Sequence, residues 1–131
     1  MYNDIIESNL SNKEKFYKIA ELLYKKDIQS LSEAERLIVY VDKYLAEVNN
    51  GGFDQYFWNT EGEFADDTLR LLNELNEQDF SRLLKKAIEI FNSEKDEDEK
   101  YDEFNELDNE FYKLNVKDYD NLYRLCVENL R

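Results

Sequence analysis

The chain has 131 residues, enough for one domain that buries roughly two thirds of the surface exposed by its unfolded chain. It carries 31 acidic against 17 basic residues, a formal net charge of −14, with no histidine and one cysteine. These numbers exclude imidazole catalysis and histidine metal ligands, and such a surface repels nucleic acid and anionic membranes but attracts a basic partner. No segment resembles a signal peptide or reaches the about 20 apolar residues of a membrane span, so we expect a cytoplasmic protein.

Apolar residues recur at i, i+3, i+4 and i+7 spacing along the chain, and almost no strand-like alternation persists. This pattern predicts an all-α fold in which residues 1–131 form a single compact domain of six to seven helices with no significant sheet. Ser32 and Glu35 have the spacing of a capping box, and Asp118 or Asp120 is the predicted N-cap of the last helix. In chain order, the predicted helices cover about residues 12–26, 32–48, 64–76, 78–92, 98–114 and 119–130. A short helix is also predicted after the glycine pair at residues 51–52.

The helix predicted near residues 98–114 belongs to the densest acidic run, in which ten carboxylates between Glu94 and Glu110 face only Lys95 and Lys100. A carboxylate about every 2.5 Å of helix rise is comparable to the roughly 3.4 Å per phosphate of one DNA strand. A solvated face that keeps the protein soluble is the alternative interpretation. The predicted packed arc is Tyr101, Phe104, Leu107, Phe111 and Leu114, and the predicted partner-binding face is Asp98, Glu99, Asp102, Glu103, Glu106 and Glu110.

Asp108 is the exception on this helix, because it projects between Tyr101 and Phe104 on the apolar arc. A buried carboxylate needs hydrogen-bond donors, and amides from an asparagine- and glutamine-rich motif elsewhere in the chain could supply them. We therefore predict a structural role for Asp108.

No catalytic group, cofactor site or metal site is predicted. Cys126 lies on the apolar side of the last helix, which indicates a buried and inert thiol. Asn50-Gly51-Gly52 lacks the lysine and the spacing of a phosphate-binding loop. A calcium loop beginning at Asp96 fails because Tyr101 stands where glycine is required and Leu107 stands where glutamate is required.

The most distinctive stretch is VNNGGFDQYFWNT, residues 48–60. Asparagine and glycine accept the left-handed conformation that ends a helix, so the stretch predicts a sharp corner followed by a short helix with buried aromatics. The polar Gln55 and Asn59 are expected to bond free amides and carbonyls at the helix ends. A polar-aromatic ligand pocket that uses Asn49, Asn50, Gln55 and Trp58 is the alternative. The motif residues are Asn49, Asn50, Gly51, Gly52, Phe53, Gln55, Tyr56, Phe57, Trp58 and Asn59.

The run EVNNGGFDQYFWN, followed by a turn containing Gly62 and a leucine-rich helix, resembles the C-terminal domain of the bacterial DNA-mimic protein nineteen family. Further similar features are Glu35-Arg36, Val41-Asp42 and residues 107–112, and the resemblance covers about residues 30–125. It implies an all-helical, non-enzymatic, cytoplasmic protein. The namesake of the family presents DNA-like negative charge to a transcription factor and keeps it off its operator.

Three functions stay open from the sequence. The first is an acidic binding protein that occupies the DNA-binding surface of a basic partner, such as a transcription regulator. The second is an immunity or antitoxin-like inhibitor of a toxin enzyme, and the third is a small-ligand module at the asparagine-glycine corner. A homodimer that joined two acidic helices would lengthen the charged track, but these residues do not predict one.

Overall fold

The computed structural model describes residues 1–131 and contains seven α-helices, one 3₁₀ turn at Ile28–Ser30 and no strand. The prediction of an all-α fold is confirmed, and the short N-terminal helix and the 3₁₀ turn are additions to it. The helices are α1 Asn3–Ile6, α2 Asn12–Leu23, α3 Glu33–Thr60, α4 Ala65–Glu74, α5 Asp79–Phe91, α6 Glu97–Tyr112 and α7 Val116–Glu128. None of them combines the length and the apolar content needed to cross a membrane.

The long helix α3 is the central element, because α2, α4, α6 and α7 all pack against it. Helix α5 packs on α4 and α6, and α2 packs along α7. The buried apolar residues form one continuous cluster with the Tyr44 ring inside it, in contact with Phe53, Phe80 and Phe111. The Tyr44 hydroxyl donates a hydrogen bond to the carbonyl of Phe80 at 2.8 Å, so this buried polar atom is satisfied.

The N-caps of α3 and α7 confirm one of the predicted capping residues and correct the other. Ser32 opens α3 with the predicted capping box, in which its hydroxyl accepts from the Glu35 amide and the Glu35 carboxylate accepts from the Ser32 amide. The prediction for the last helix was wrong, because Asn115 is the N-cap of α7 rather than Asp118 or Asp120. Asp118 occupies the third helical position and completes a second capping box by accepting from the Asn115 amide at 2.9 Å.

Glu77 is a buried carboxylate for which the sequence predicted no role. It is 3% exposed, and its two oxygens accept hydrogen bonds from the backbone amides of Asp79, Phe80 and Ser81 at 3.0, 3.2 and 2.7 Å. It therefore satisfies the free amides at the start of α5. Burial raises the pKa of the Glu77 carboxyl above its usual value, although these three amides act in the opposite direction.

This raised pKa makes stability depend on pH. The folded protein binds a proton at Glu77 more tightly than the unfolded chain, so the free energy of unfolding should rise as pH falls from 7 toward the ordinary glutamate pKa of 4.5. Glu77→Gln keeps one of the two acceptor oxygens, so its overall stability should be lower, and it removes this titration. We expect urea unfolding between pH 7 and pH 5 to show a smaller rise for the variant than for the wild type. Parallel profiles for the two proteins would contradict the prediction.

Candidate functional site

Helix α3 is interrupted at the glycine pair, where Gly51 and Gly52 have non-helical backbone angles. Gly52 has φ 80° and ψ −178°, a conformation that is essentially restricted to glycine. A Cβ atom at Gly52 would also collide with the carboxylate of Asp108 on α6. The predicted corner is therefore confirmed, and it requires glycine at position 52 for two independent reasons.

Two residues of α6, one turn apart, hold this corner. The Asp108 carboxylate, 9% exposed, accepts a hydrogen bond from the backbone amide of Phe53 at 2.8 Å. The Tyr112 hydroxyl donates to the carbonyl of Val48 at 2.9 Å. Asp108 thus satisfies an amide that begins the helical segment after the kink, and Tyr112 satisfies a carbonyl that ends the segment before it. We call these two contacts the α6 clamp.

The prediction that Asp108 is buried is confirmed, and its donor is in the predicted motif. That donor is the main-chain amide of Phe53 rather than an asparagine or glutamine side chain. Burial raises the pKa of the Asp108 carboxyl, the Phe53 amide opposes the shift, and the nearby charge of Asp54 adds to it. Asp108 therefore contacts the corner through the main chain of Phe53, as expected for the predicted structural role.

The roles predicted for Gln55 and Asn59 were wrong. Both side-chain amides donate to the same carboxylate oxygen of Glu47, each at 2.8 Å, instead of to helix-end groups. The physical reason is that a carboxylate is a stronger acceptor than a backbone carbonyl and lies within reach across the kink. Glu47 therefore ties together the helical segments on the two sides of the glycines.

The aromatic residues of the motif divide into two groups. Phe53, Tyr56 and Phe57 are buried, as predicted, whereas Trp58 is 82% exposed. The residues of the alternative ligand pocket do not share one cavity. Asn49 lines a groove of about 870 Å³ between α2, α3 and α7, and Trp58 lines a separate pocket of about 430 Å³. Asn50 is exposed, and Gln55 is engaged by Glu47.

Helix α6 packs on α3 and α5 through Phe104, Leu107 and Phe111, which are all buried. Tyr101 was predicted on this packed arc, but it is 51% exposed. The buried arc begins at Phe104, whereas Glu97 and Lys100 at the start of α6 line the open pocket beside Trp58. Projection on a helix gives the direction of a side chain but not whether a neighbouring element covers it.

The six predicted partner-binding acids lie on the outer side of α6, and all are exposed except Glu103, which is partly buried. Glu103 pairs with Lys95, and Glu110 pairs with Arg82 at 3.4 Å. Asp98, Asp102 and Glu106 form no ion pair and recur every fourth residue, about 6 Å apart along the helix. We call these three residues the carboxylate row, and Glu99 stands beside it without an ion pair.

The residues that could bind a metal or act as a nucleophile are not arranged for either role. No three carboxylate or thiol side chains converge closely enough to hold a metal ion. Cys126 is fully buried, as predicted, and burial raises the pKa of its thiol. This environment favours the protonated and unreactive form of the cysteine.

Comparison with known proteins decides the family. The DMP19-like protein family matches residues 29–129. The chain belongs to this family. No curated protein and no solved structure matches the chain.

The family match confirms the resemblance drawn from the corner motif, and its range agrees closely with the predicted residues 30–125. In this DMP19-like chain the matched range includes the glycine corner, the α6 clamp and the whole carboxylate row. The corner is held by Asp108 and Tyr112, whereas the row consists of other residues of α6 that face solvent, so the motif that identifies the family is separate from the charged surface.

Proposed function

We propose that this DMP19-like protein is a non-enzymatic acidic binding protein, a DNA mimic whose partner-binding face on α6 occupies the DNA-binding surface of a basic partner such as a transcription regulator. The observation that carries the proposal is the carboxylate row, three exposed acids with no ion pair on one side of one helix. Regularly spaced and uncompensated negative charge is what a basic nucleic-acid-binding surface attracts. Membership of the DMP19-like family supports the same function.

The stability of α6 does not explain the whole row. Acids in the first turn, such as Asp98, interact favourably with the positive end of the helix dipole. Asp102 and Glu106 lie beyond that turn, where the dipole effect has faded. Their mutual repulsion, at a spacing of four residues, disfavours the helix by a few tenths of a kcal/mol. Their arrangement is better explained by binding than by folding.

The decisive experiment replaces the middle of the face with positive charge. We expect the triple variant Asp102→Lys, Glu103→Lys and Glu106→Lys to lose at least ten-fold in affinity for a basic DNA-binding protein captured from a lysate of the source cell. The association of the wild type should weaken with rising salt, because exposed charges are screened. Affinity is measured with the purified partner by calorimetry at two salt concentrations, and circular dichroism checks that each variant is folded.

A matched control changes the same amount of charge elsewhere. Asp4, Glu7 and Glu21 are exposed acids on or beside α1 and α2, neither of which packs on α6 in the main helix contacts. Their triple lysine variant should bind like the wild type, and duplex DNA that the partner recognises should compete with the protein. Equal loss in both triple variants would mean that only net charge matters. A captured enzyme with no DNA-binding surface would contradict the proposal and favour a toxin inhibitor.

A further inference from the structure

Trp58 is the only tryptophan of the chain and leaves 82% of its surface in water. A ring of this size forfeits most of the free energy that burial would supply, and tryptophan is enriched among residues that dominate protein interfaces. The neighbouring aromatic residue, Phe57, is only 4% exposed, so the short helical segment could bury a ring at that position but presents Trp58 to solvent.

The indole stands at the edge of the pocket of about 430 Å³ between α3 and the start of α6. Asp54, one turn before Trp58, and Glu61, the residue that caps the end of this helical segment, line the same pocket. Stacked phenylalanines line the pocket: Phe57 lies over Phe91 with ring centres 4.5 Å apart and beside Phe104 at 5.5 Å. We call this depression the Trp58 pocket.

The charge of the Trp58 pocket is negative. Asp54 and Glu61 are joined by Glu97 from α6, and the one base among the lining residues is Lys100. The ammonium group of Lys100 donates to the carbonyl of Phe91 at 3.0 Å, so it is held against the end of α5. Three carboxylates against one lysine, next to an exposed indole face, form an environment that attracts a further cation.

We propose that the Trp58 pocket receives an arginine side chain of the basic partner. A guanidinium group stacks on an indole face, and it can also bond a carboxylate through two parallel hydrogen bonds. The aromatic lining suits the weak hydration of the guanidinium plane better than the strongly hydrated ammonium of lysine. The pocket therefore fits arginine rather than positive charge in general.

The position of the pocket connects it with the proposed function. Glu97 lines the pocket and directly precedes Asp98, the first residue of the carboxylate row. The row repeats about every 6 Å, close to the roughly 6.6 Å between alternate side chains of an extended segment. A basic segment anchored by one arginine in the pocket can thus place its next charges along the row. The identity of the partner rests on the proposed function, whereas the chemistry of the pocket can be tested without it.

The test uses the intrinsic fluorescence of Trp58, which reports on this pocket alone because the chain has no other tryptophan. The probe is a blocked eight-residue peptide that alternates arginine and serine, and the matched probe alternates lysine and serine. We expect a saturable change in emission with the arginine peptide and an affinity at least three-fold higher than that of the lysine peptide. Calorimetry should show Trp58→Ala weakening arginine-peptide binding about five-fold, within the range of a cation–π contact.

The control variant is Val116→Ala, which truncates another strongly exposed apolar side chain, 84% exposed, that lines the separate groove. It should bind the arginine peptide like the wild type, and neither substitution should shift the melting temperature. The inference is overturned if the peptide causes no saturable change in emission, or if Trp58→Ala binds like the wild type.

The outcomes also separate this inference from the proposed function. The triple lysine variant at Asp102, Glu103 and Glu106 should retain a saturable fluorescence response to the arginine peptide, because those residues do not line the pocket, although with lower affinity because the further arginines lose their carboxylates. If no DNA-binding partner is found but the response persists, the proposed function fails and the pocket stands. If a partner is captured equally well by Trp58→Ala and the peptide response is absent, the pocket fails and the proposed function stands.

Discussion

Gly52→Ala should lower the free energy of unfolding by about 4 kcal/mol, the largest loss that we expect from a single substitution in the corner. The backbone of Gly52 has φ 80° and ψ −178°, which alanine adopts only under strain. The new Cβ atom would also push the Asp108 carboxylate away from the Phe53 amide, which would then lack its acceptor. Urea unfolding followed by circular dichroism measures the loss.

Gly51→Ala is the matched control, since it adds the same methyl group one residue earlier. Gly51 has a negative φ of −153°, and its added Cβ would meet the Gln55 side chain, both at its amide group and at its Cβ, 2.9 Å away. Rotation of Gln55 moves its amide group away at the loss of one hydrogen bond to Glu47, about 1 kcal/mol, and a small backbone shift relieves the contact with its Cβ. The total loss should therefore stay below that of Gly52→Ala. Equal losses for the two variants would show that the conformation of Gly52 and its contact with Asp108 are not what the corner requires.

Asp108→Ala should lower the free energy of unfolding by about 2 kcal/mol, because it leaves the buried Phe53 amide without a partner. In a domain of this size the melting temperature should fall by several degrees. Differential scanning calorimetry at pH 7 measures the shift. The partner-binding face is on the other side of α6, so the folded variant should keep its affinity for a basic partner.

Asp108→Asn is the informative companion variant, because its side-chain oxygen can still accept from Phe53 while the buried charge is gone. Its loss at pH 7 should be well below that of the alanine variant. Burial raises the pKa of the Asp108 carboxyl, so the folded protein binds this proton more tightly than the unfolded chain. The free energy of unfolding of the wild type should therefore fall as pH rises through that pKa, and the asparagine variant should lack this contribution. An alanine variant with an unchanged melting temperature would exclude a structural role for Asp108.

Much of the fold could be predicted because its signals are local. The apolar spacing of α3 and α5 is a property of single helices, and a capping box such as Ser32 with Glu35 lies within one turn. The last helix was placed too late because Asp118 in its first turn and Asp120 just beyond it resemble caps. The cap itself, Asn115, stands before Val116, and that valine is 84% exposed and outside the apolar stripe.

The candidate site was predictable only in part, because its contacts join distant parts of the chain. Helical projection predicted a buried Asp108, but the partner amide lies 55 residues away, and the Tyr112 hydroxyl finds its carbonyl 64 residues away. The same limit applies to Trp58, which borders the open pocket between α3 and α6, and to Tyr101, which no neighbouring element covers fully. Sequence periodicity indicates which side of a helix is apolar, but it does not show which neighbour covers each residue.

The α6 clamp has a consequence for how this surface can be changed. The inner side of α6 is fixed against α3, because Asp108 and Tyr112 hold the two sides of the kink in the middle of that helix. The outer positions are then presented at constant angles whatever side chains they carry. Asp98, Asp102 and Glu106 could therefore be substituted to suit a different target while the backbone of α6 keeps its position. The helix would then serve as a scaffold for other binding surfaces.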